Sequence, residues 1–237
     1  MVQSRIQPAE RDSLTERDSA GEGSLVKLAG EIAGCRICRE RPAAGLPLPH
    51  DPRPIFRLSR TARLLIASQA PGLRAHDSGV PFNDPSGDRL RAWMGLDRET
   101  FYDESRIAIA PMGFCFPGYD ALGGDLPPRR ECRVQWHDRL FRLMPQIETV
   151  LAIGGYAHSY HFSRLGRPYA RSDKVDATVR RWKEFETGVP RLFPLPHPSW
   201  RNSGWLKRNP WFEADLLPDL RAEVARLVAP TQAFSAA

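Results

Sequence analysis

The sequence predicts an α/β fold, a three-layer α/β/α sandwich around a central four-stranded parallel sheet. Four short apolar runs, each bounded by turn residues, have the length and composition of buried strands. Stretches with the apolar spacing of helices separate these runs, and this alternation is typical of a parallel sheet covered by helices on both faces. Because such sheets bind ligands outside the carboxyl ends of their strands, we expect the functional residues in the loops that follow the strands.

Each predicted strand is a compact apolar run. The strands are RLLIASQA at 63–70, RIAIAPM at 106–112, TVLAIGG at 149–155 and RLFPLPH at 191–197. Three of the loops that follow them combine small, proline and polar residues. These loops are SQAPG at 68–72, APMGFCFPG at 110–118 and HPSWRN at 197–202. We therefore search these loops first for chemistry.

The candidate helices lie between and after the strands. They span 86–96, 128–144, 156–165 and 210–227, with a fifth expected near 176–187. With 237 residues, of which 41% are apolar, the chain is long enough for one substantial core. Residues 1–24 are polar, mixed in charge and interrupted by proline and glycine, so we expect a disordered tail there. One domain over 25–228 and a short tail over 229–237 complete the predicted organisation.

The net charge of the chain is +6, which favours a polyanionic partner, although basic proteins without a nucleic-acid role carry similar charge. No run approaches the ~20 apolar residues that span a bilayer. The first thirty residues carry mixed charges where a signal peptide would have an apolar run. We therefore expect a monomeric, intracellular protein of the cytoplasm, associated with the nucleoid and without a membrane partner.

The four cysteines have a spacing that suggests a metal centre. Cys35 and Cys38 form a C-x-x-C motif, and Cys115 and Cys132 lie in two later segments. In a reducing compartment thiols seldom form disulfides, whereas four thiolates can hold a [4Fe–4S] cluster or a tetrahedral zinc ion. The alternative is four buried free thiols that pack as small apolar groups.

Two segments carry a family resemblance. The run SQAPGLRAHDSGVPFNDPSGDRLRAWMG at 68–95 and the loop at 197–202 resemble the two signature motifs of the uracil-DNA glycosylase superfamily. The positions of the four cysteines are similar to those of its iron–sulfur branches, family five and then family four. The resemblance implies a monofunctional glycosylase in base excision repair, which flips uracil from single- or double-stranded DNA and hydrolyses its N-glycosidic bond to leave an abasic site.

The first motif supplies candidates for binding the base. Ala70 and Gly72 stand in a tight loop where the backbone can approach a ligand closely. Phe82 matches the ring that stacks on the extruded uracil in the family, and flipped bases are held by stacking and hydrogen bonds. Families one and four read uracil with an asparagine where this chain has Ala110 or Pro111. Asn83 and the backbone groups around Met112 and Gly113 are therefore further candidates.

The catalytic candidates are Asp84, His197 and Gln69. The family's motif-one carboxylates are replaced here by Ala70 and Gln69, so the resemblance to family five assigns the catalytic carboxylate to Asp84. A fixed carboxylate near the sugar stabilises the oxocarbenium-like state and can orient water, and Gln69 can position water. The structural alternative for Asp84 is a helix N-cap. His197 resembles the histidine that donates a hydrogen bond to uracil O2 as negative charge develops on the base.

The second motif also supplies candidates for DNA binding. Ser199, Trp200, Arg201 and Asn202 resemble a loop that wedges into the duplex in the single-strand-selective branch of the superfamily. Planar side chains suit insertion between bases, and arginine binds phosphate. Two other functions remain open at this point. One is a non-catalytic protein of the same fold that retains uracil or abasic DNA, and the other is a metal-binding α/β hydrolase that acts on a small nucleotide.

Overall fold

The computed structural model describes residues 23–169 and 174–229. The expected tails lie almost entirely outside these ranges, so the predicted boundaries at 24 and 229 stay predictions. No helix within the described ranges is long and apolar enough to cross a membrane.

A four-stranded parallel sheet forms the centre of the fold. Its strands are β1 (Leu64–Ala67), β2 (Ile107–Ile109), β3 (Thr149–Ile153) and β4 (Arg191–Leu195). All neighbours are parallel, and the order across the sheet is β2-β1-β3-β4. All four predicted strands are confirmed, and so is the predicted fold class. The two central strands are β1 and β3, with β4 and β2 at the edges.

Helices account for most of the remaining described residues. The first helix, α1, covers 23–33. The others are α2 (Ile37–Glu40), α3 (Leu73–Ser78), α4 (Pro85–Met94), α5 (Arg98–Tyr102), α6 (Arg130–Cys132), α7 (Asp138–Arg142), α8 (Gly154–Arg164), α9 (Val175–Arg180), α10 (Ser203–Arg208) and α11 (Leu217–Val228). Short 3₁₀ turns follow α9 at Trp182–Phe185 and precede α10 at Trp200–Asn202.

The side chains of β1 divide the core into two halves. Leu65 and Ala67 pack with α1, α7 and α8 on one face of the sheet, whereas Leu64 and Ile66 pack with α4 and α11 on the other. Successive strand residues point to opposite faces, so a strand that is apolar throughout requires a helical layer on each side. This packing produces the three layers that the sequence predicts.

The helix predicted over 128–144 has an irregular centre. A π-helical segment, Arg133–His137, separates α6 from α7. It holds the fully buried His137, whose Nε2 lies 3.1 Å from the carbonyl oxygen of Pro111. Segments of this kind are short insertions in α-helices and often occur beside functional sites. Here the insertion ties the helix to the loop that follows β2. A second π-helical segment, Phe212–Leu216, precedes α11.

Candidate active site

A cleft of about 790 Å³, lined by both polar and apolar residues, opens at the carboxyl edge of the sheet. Loops that follow β1, β2 and β4 form its walls, as expected for this type of fold. Most of the site residues predicted from sequence line it. They are Gln69, Ala70, Gly72, Phe82, Asp84, His197, Ser199, Trp200, Arg201 and Asn202.

Backbone hydrogen bonds fix the first-motif loop against the loop that follows β2. The N–H of Met112 donates to the Ser68 oxygen at 2.8 Å, and the N–H of Gly113 donates to the Gln69 oxygen at 3.0 Å. The Gln69 side-chain amide donates to the Leu126 oxygen at 3.3 Å. These bonds extend the pairing of β1 and β2 past the sheet, and they hold Ala70 and Gly72 at the floor of the cleft.

Phe82 has a strained backbone. Its φ angle is 55°, the left-handed region that residues other than glycine seldom occupy. The Gly87 backbone packs directly against the Phe82 carbonyl, which leaves no room for a side chain at position 87. The Phe82 ring meets Phe101 edge to face, with centroids 6.1 Å apart, and also lines the cleft. Strain of this kind often concentrates at ligand sites, and here it sets the direction of the predicted stacking ring.

Asp84 caps α4 and also lines the cleft. The N–H of Gly87 donates to Asp84 Oδ1 at 2.8 Å, with Pro85 at the first helical position. Asp84 is therefore the helix N-cap that the sequence offered as its structural role, and this role does not exclude a catalytic one. One carboxylate oxygen satisfies the helix terminus, so the cap holds the second oxygen in a fixed place.

His197 lies at the end of β4 in a defined protonation state. The N–H of Ser199 donates to His197 Nδ1 at 3.2 Å, so Nδ1 accepts and Nε2 carries the proton. Burial lowers the pKa of His197, against the opposing effect of Asp84 and Asp125. Both observations describe a neutral imidazole that is able to donate a hydrogen bond from Nε2.

Hydrogen bonds hold the inner side of the second-motif loop, and its outer side is exposed to solvent. Asn202 Nδ2 donates to the His197 oxygen at 2.7 Å, and Arg89 Nη1 donates to the Ser199 oxygen at 2.9 Å. The Trp200 side chain is 77% exposed beside Arg201, whose guanidinium carbon is 5.9 Å from the indole centroid. Ser199 and Asn202 thus shape the loop, whereas Trp200 and Arg201 present its contact surface.

Three predicted binding residues do not line the cleft. Met112 is buried in the core, and Gly113 packs against Pro128. The Asn83 side-chain oxygen accepts a hydrogen bond from Arg98 at 3.0 Å. The backbone N–H groups of Met112 and Gly113 already serve the loop pairing described above. Pro111 lines the cleft, whereas Ala110, the other position that the resemblance offers for the family's asparagine, is buried in the core.

A hairpin that sequence reasoning missed forms the remaining wall. Tyr119 and Asp125 pair as an antiparallel bridge, and both line the cleft. Asp120 Oδ1 accepts from the N–H groups of Leu122 and Gly124, both at 2.8 Å. The aspartate-and-glycine composition of YDALGGD at 119–125 was a turn signal, but it did not indicate that the turn would fold over the cleft.

The four cysteines line a second, separate cavity. Cys35, Cys38, Cys115 and Cys132 come together there, and the N–H of Phe114 donates to Cys132 Sγ at 3.3 Å. Burial raises the pKa of Cys38 to about 11 and that of Cys115 to about 12. Within the described residues, no three histidine, cysteine, aspartate or glutamate side chains are arranged to hold a metal ion. Cysteine sulfur is a donor for both [4Fe–4S] clusters and zinc, so the residue type of the four side chains fits either group.

The fold and cleft define an α/β protein whose polar site lies at the carboxyl edge of a parallel sheet. The family model described as the uracil DNA glycosylase superfamily matches residues 56–221, more than two thirds of the chain. The chain belongs to this superfamily. Members generally act on DNA as glycosylases, and the resemblance seen in the two motifs is confirmed at this level. The match begins after Cys35 and Cys38, so it does not bear on the iron–sulfur branch.

Proposed function

We propose that this protein is a monofunctional uracil-DNA glycosylase, most similar to family five of the superfamily. The observation that carries the proposal is the meeting of Asp84, His197 and Phe82 in one cleft of about 790 Å³. The three residues come from two distant motifs, and each has the chemistry that one part of the reaction requires. The substrate is a uracil flipped out of DNA, and the products are free uracil and an abasic site.

His197 serves the base in this proposal. When the glycosidic bond breaks, negative charge develops on uracil and spreads to its oxygens. A neutral donor that is already oriented stabilises this charge without reorganising. The Ser199 N–H that bonds to Nδ1 provides the orientation, because it leaves the proton on Nε2. Phe82 would hold the uracil ring by stacking, within reach of that donor.

Asp84 serves the sugar. Positive charge develops on the deoxyribose as the base departs, and a fixed carboxylate lowers the energy of that state. The hydrogen bond from Gly87 keeps the Asp84 carboxylate immobile at the start of α4. Pro111 has no side-chain amide and Ala70 has no carboxylate, so the two groups that other branches use at the base are missing here. We expect backbone groups of the cleft and His197 to supply the remaining specificity.

Trp200 and Arg201 serve the DNA. An exposed planar ring beside a guanidinium suits stacking on a base and binding of a phosphate. Arg74 also lines the cleft and adds positive charge at its mouth. We propose that this rim holds the strand, single or double, while uracil occupies the cleft. The protein would act as a monomer.

A strand-cleavage assay tests the proposed function. End-labelled oligonucleotides with one uracil, single- or double-stranded, are incubated with the protein and then divided into samples with and without alkali. We expect breakage at the uracil position only after alkali, because a monofunctional enzyme leaves an abasic site intact. Matched oligonucleotides with thymine or hypoxanthine define the range of bases. An absence of alkali-sensitive sites with every uracil substrate would contradict the proposal.

The second candidate function is a non-catalytic protein that retains uracil or abasic DNA. Two observations favour this non-catalytic function. One Asp84 oxygen already accepts a hydrogen bond in the helix cap, and position 70 is alanine where family one has a carboxylate. Tight binding to uracil DNA without release of base in the same assay would support this candidate.

We further propose that the four cysteines hold a [4Fe–4S] cluster, with zinc as the alternative. The supporting observation is that all four line one cavity away from the cleft. A cluster there would stabilise the fold and contribute no step of the chemistry. Iron, sulfide and zinc analysis of the purified protein, together with visible absorption, tests the proposal. Zinc alone would contradict the cluster, and retained stability of a Cys132→Ser variant would indicate free thiols.

A further inference from the structure

The first motif lacks a carboxylate, but the loop that follows β2 places one beside it. Positions 69 and 70 carry glutamine and alanine, so the loop after β1 offers no acid at its start. Asp125, at the base of the 119–125 hairpin, also lines the cleft. A methyl group built at Gly72 would have Asp125 Oδ2 as its nearest neighbour, at 3.9 Å.

The hairpin is anchored firmly enough to position this side chain. The bridge between Tyr119 and Asp125 closes it, and the N–H of Leu126 donates to the Gly118 oxygen at 2.9 Å. The Gln69 amide donates to the oxygen of Leu126, the residue next to Asp125. The first-motif loop is thereby bonded to the residue that follows Asp125. Gln69 would act here as a positioning residue.

Asp125 also belongs to the electrostatic environment of the candidate site. The charged groups that face it are Arg201, His197, Asp84 and Asp120. Partial burial raises the pKa of this exposed side chain, an effect that Asp84 and Asp120 strengthen and that Arg201 and His197 oppose. A carboxylate with a raised pKa is a better acceptor of a proton from water.

Asp84 and Asp125, two of the acids that line the cleft, differ in the hydrogen bonds that they already accept. Asp84 Oδ1 accepts the N–H of Gly87. Within the described part of the chain, no hydrogen bond reaches the Asp125 carboxylate from another protein group. Its side chain is open to the cleft, so both oxygens are available to a water molecule. The Asp84 carboxylate is therefore held at the start of α4, whereas the Asp125 carboxylate is exposed to solvent.

We propose that Asp125 is a second catalytic carboxylate, which binds the attacking water and accepts its proton. This assignment rests on the proposed glycosylase function and deepens it. The bond between uracil N1 and the sugar C1′ breaks, and its electron pair leaves with uracil. The water oxygen then bonds to C1′, while one water proton passes to Asp125. Uracil later takes a proton from solvent and Asp125 releases its proton to solvent, so the atoms and charges balance and the carboxylate is regenerated.

The test compares single-turnover uracil release by the parent protein, Asp125→Asn and a charge-matched control, Asp215→Asn. Asp215 is exposed on the segment before α11 and does not line the cleft. We expect Asp125→Asn to lose at least about 100-fold in rate, in line with a general base, while its affinity for uracil DNA and its thermal stability stay near parental. The acid limb of the pH–rate profile should also change in Asp125→Asn.

Three outcomes would overturn the assignment, and they are distinguishable. An active parent with an equally active Asp125→Asn variant would remove Asp125 from the mechanism and leave the proposed function intact. A parent that releases no uracil would overturn the proposed function and this assignment together. A variant that only binds DNA more weakly, with an unchanged single-turnover rate, would also contradict a role in the chemistry.

Discussion

The backbone N–H of Gly87 donates to the carboxylate of Asp84 at 2.8 Å, so the first residue before α4 is both a helix cap and a wall of the cleft. A cap needs an oxygen acceptor, whereas the proposed chemistry needs a negative charge. These two requirements can be separated by substitution, because asparagine caps a helix about as well as aspartate does.

Asp84→Asn should therefore lose activity while keeping its stability. We expect single-turnover uracil release to fall by about 10²–10⁴-fold, the range associated with a catalytic carboxylate. Urea unfolding should show a change well below the ~1 kcal/mol that loss of a cap costs. Asp84→Ala is the control, since it removes both the charge and the cap. Parental rates in Asp84→Asn would leave Asp84 with the capping role alone.

Removal of the donor at His197 should slow the chemical step more than it weakens binding. For His197→Ala we expect a loss of about 10²–10³-fold in single-turnover rate, as for other preorganised donors to a developing anion. His197→Gln keeps an N–H donor and should retain more activity than the alanine variant. If all three proteins released uracil at the same rate, the histidine would have only a structural role.

Truncation of Trp200 should weaken DNA binding. Its side chain is 77% exposed, so the fold does not depend on it. Trp200→Ala should lose about 1–3 kcal/mol of affinity for single-stranded DNA, the range for one stacked base. Fluorescence anisotropy with a labelled oligonucleotide measures this change. Val26→Ala, an exposed apolar residue of α1, is the control, and equal affinities of the two variants would argue against stacking at Trp200.

Acid should destabilise the fold through its buried histidines. Burial lowers the pKa of His137 and of His158 from 6.5 to about 4. As pH falls below 6.5, these histidines become protonated in the unfolded chain but stay neutral in the folded protein. The free energy of unfolding therefore decreases progressively between pH 6.5 and about 4. Urea unfolding across this range measures the loss. His158→Gln should show a shallower dependence, and an unchanged slope would contradict this origin.

Local pattern was sufficient to predict the sheet, and the family resemblance supplied ten of the residues that line the cleft. Runs such as 149–155 are apolar throughout, which distinguishes a buried strand from its surroundings in the sequence alone. The motif residues Phe82 and His197 lie where the carboxyl ends of β1 and β4 bring them together. Short helices such as α3 were missed because one or two turns contain too few residues to show a helical period.

The remaining site depended on contacts between distant segments. Asp125 reaches the cleft because its hairpin bonds to Gln69, more than fifty positions earlier. No local property of YDALGGD predicts that contact. In the same way, Met112 and Gly113 follow a strand at the correct edge, but their N–H groups pair with the neighbouring loop and do not face the cleft. Position at a strand end therefore does not by itself place a residue in the cleft.

The most direct test of uracil excision by this protein is the quantity of free uracil released from a single-uracil oligonucleotide under single-turnover conditions. Mass spectrometry identifies the free base directly, without dependence on strand breakage. We predict one uracil per oligonucleotide from the parent protein and a rate reduced by about 10²–10³-fold in His197→Ala. Absence of free uracil from a folded, DNA-binding parent would contradict the central claim that this cleft excises uracil.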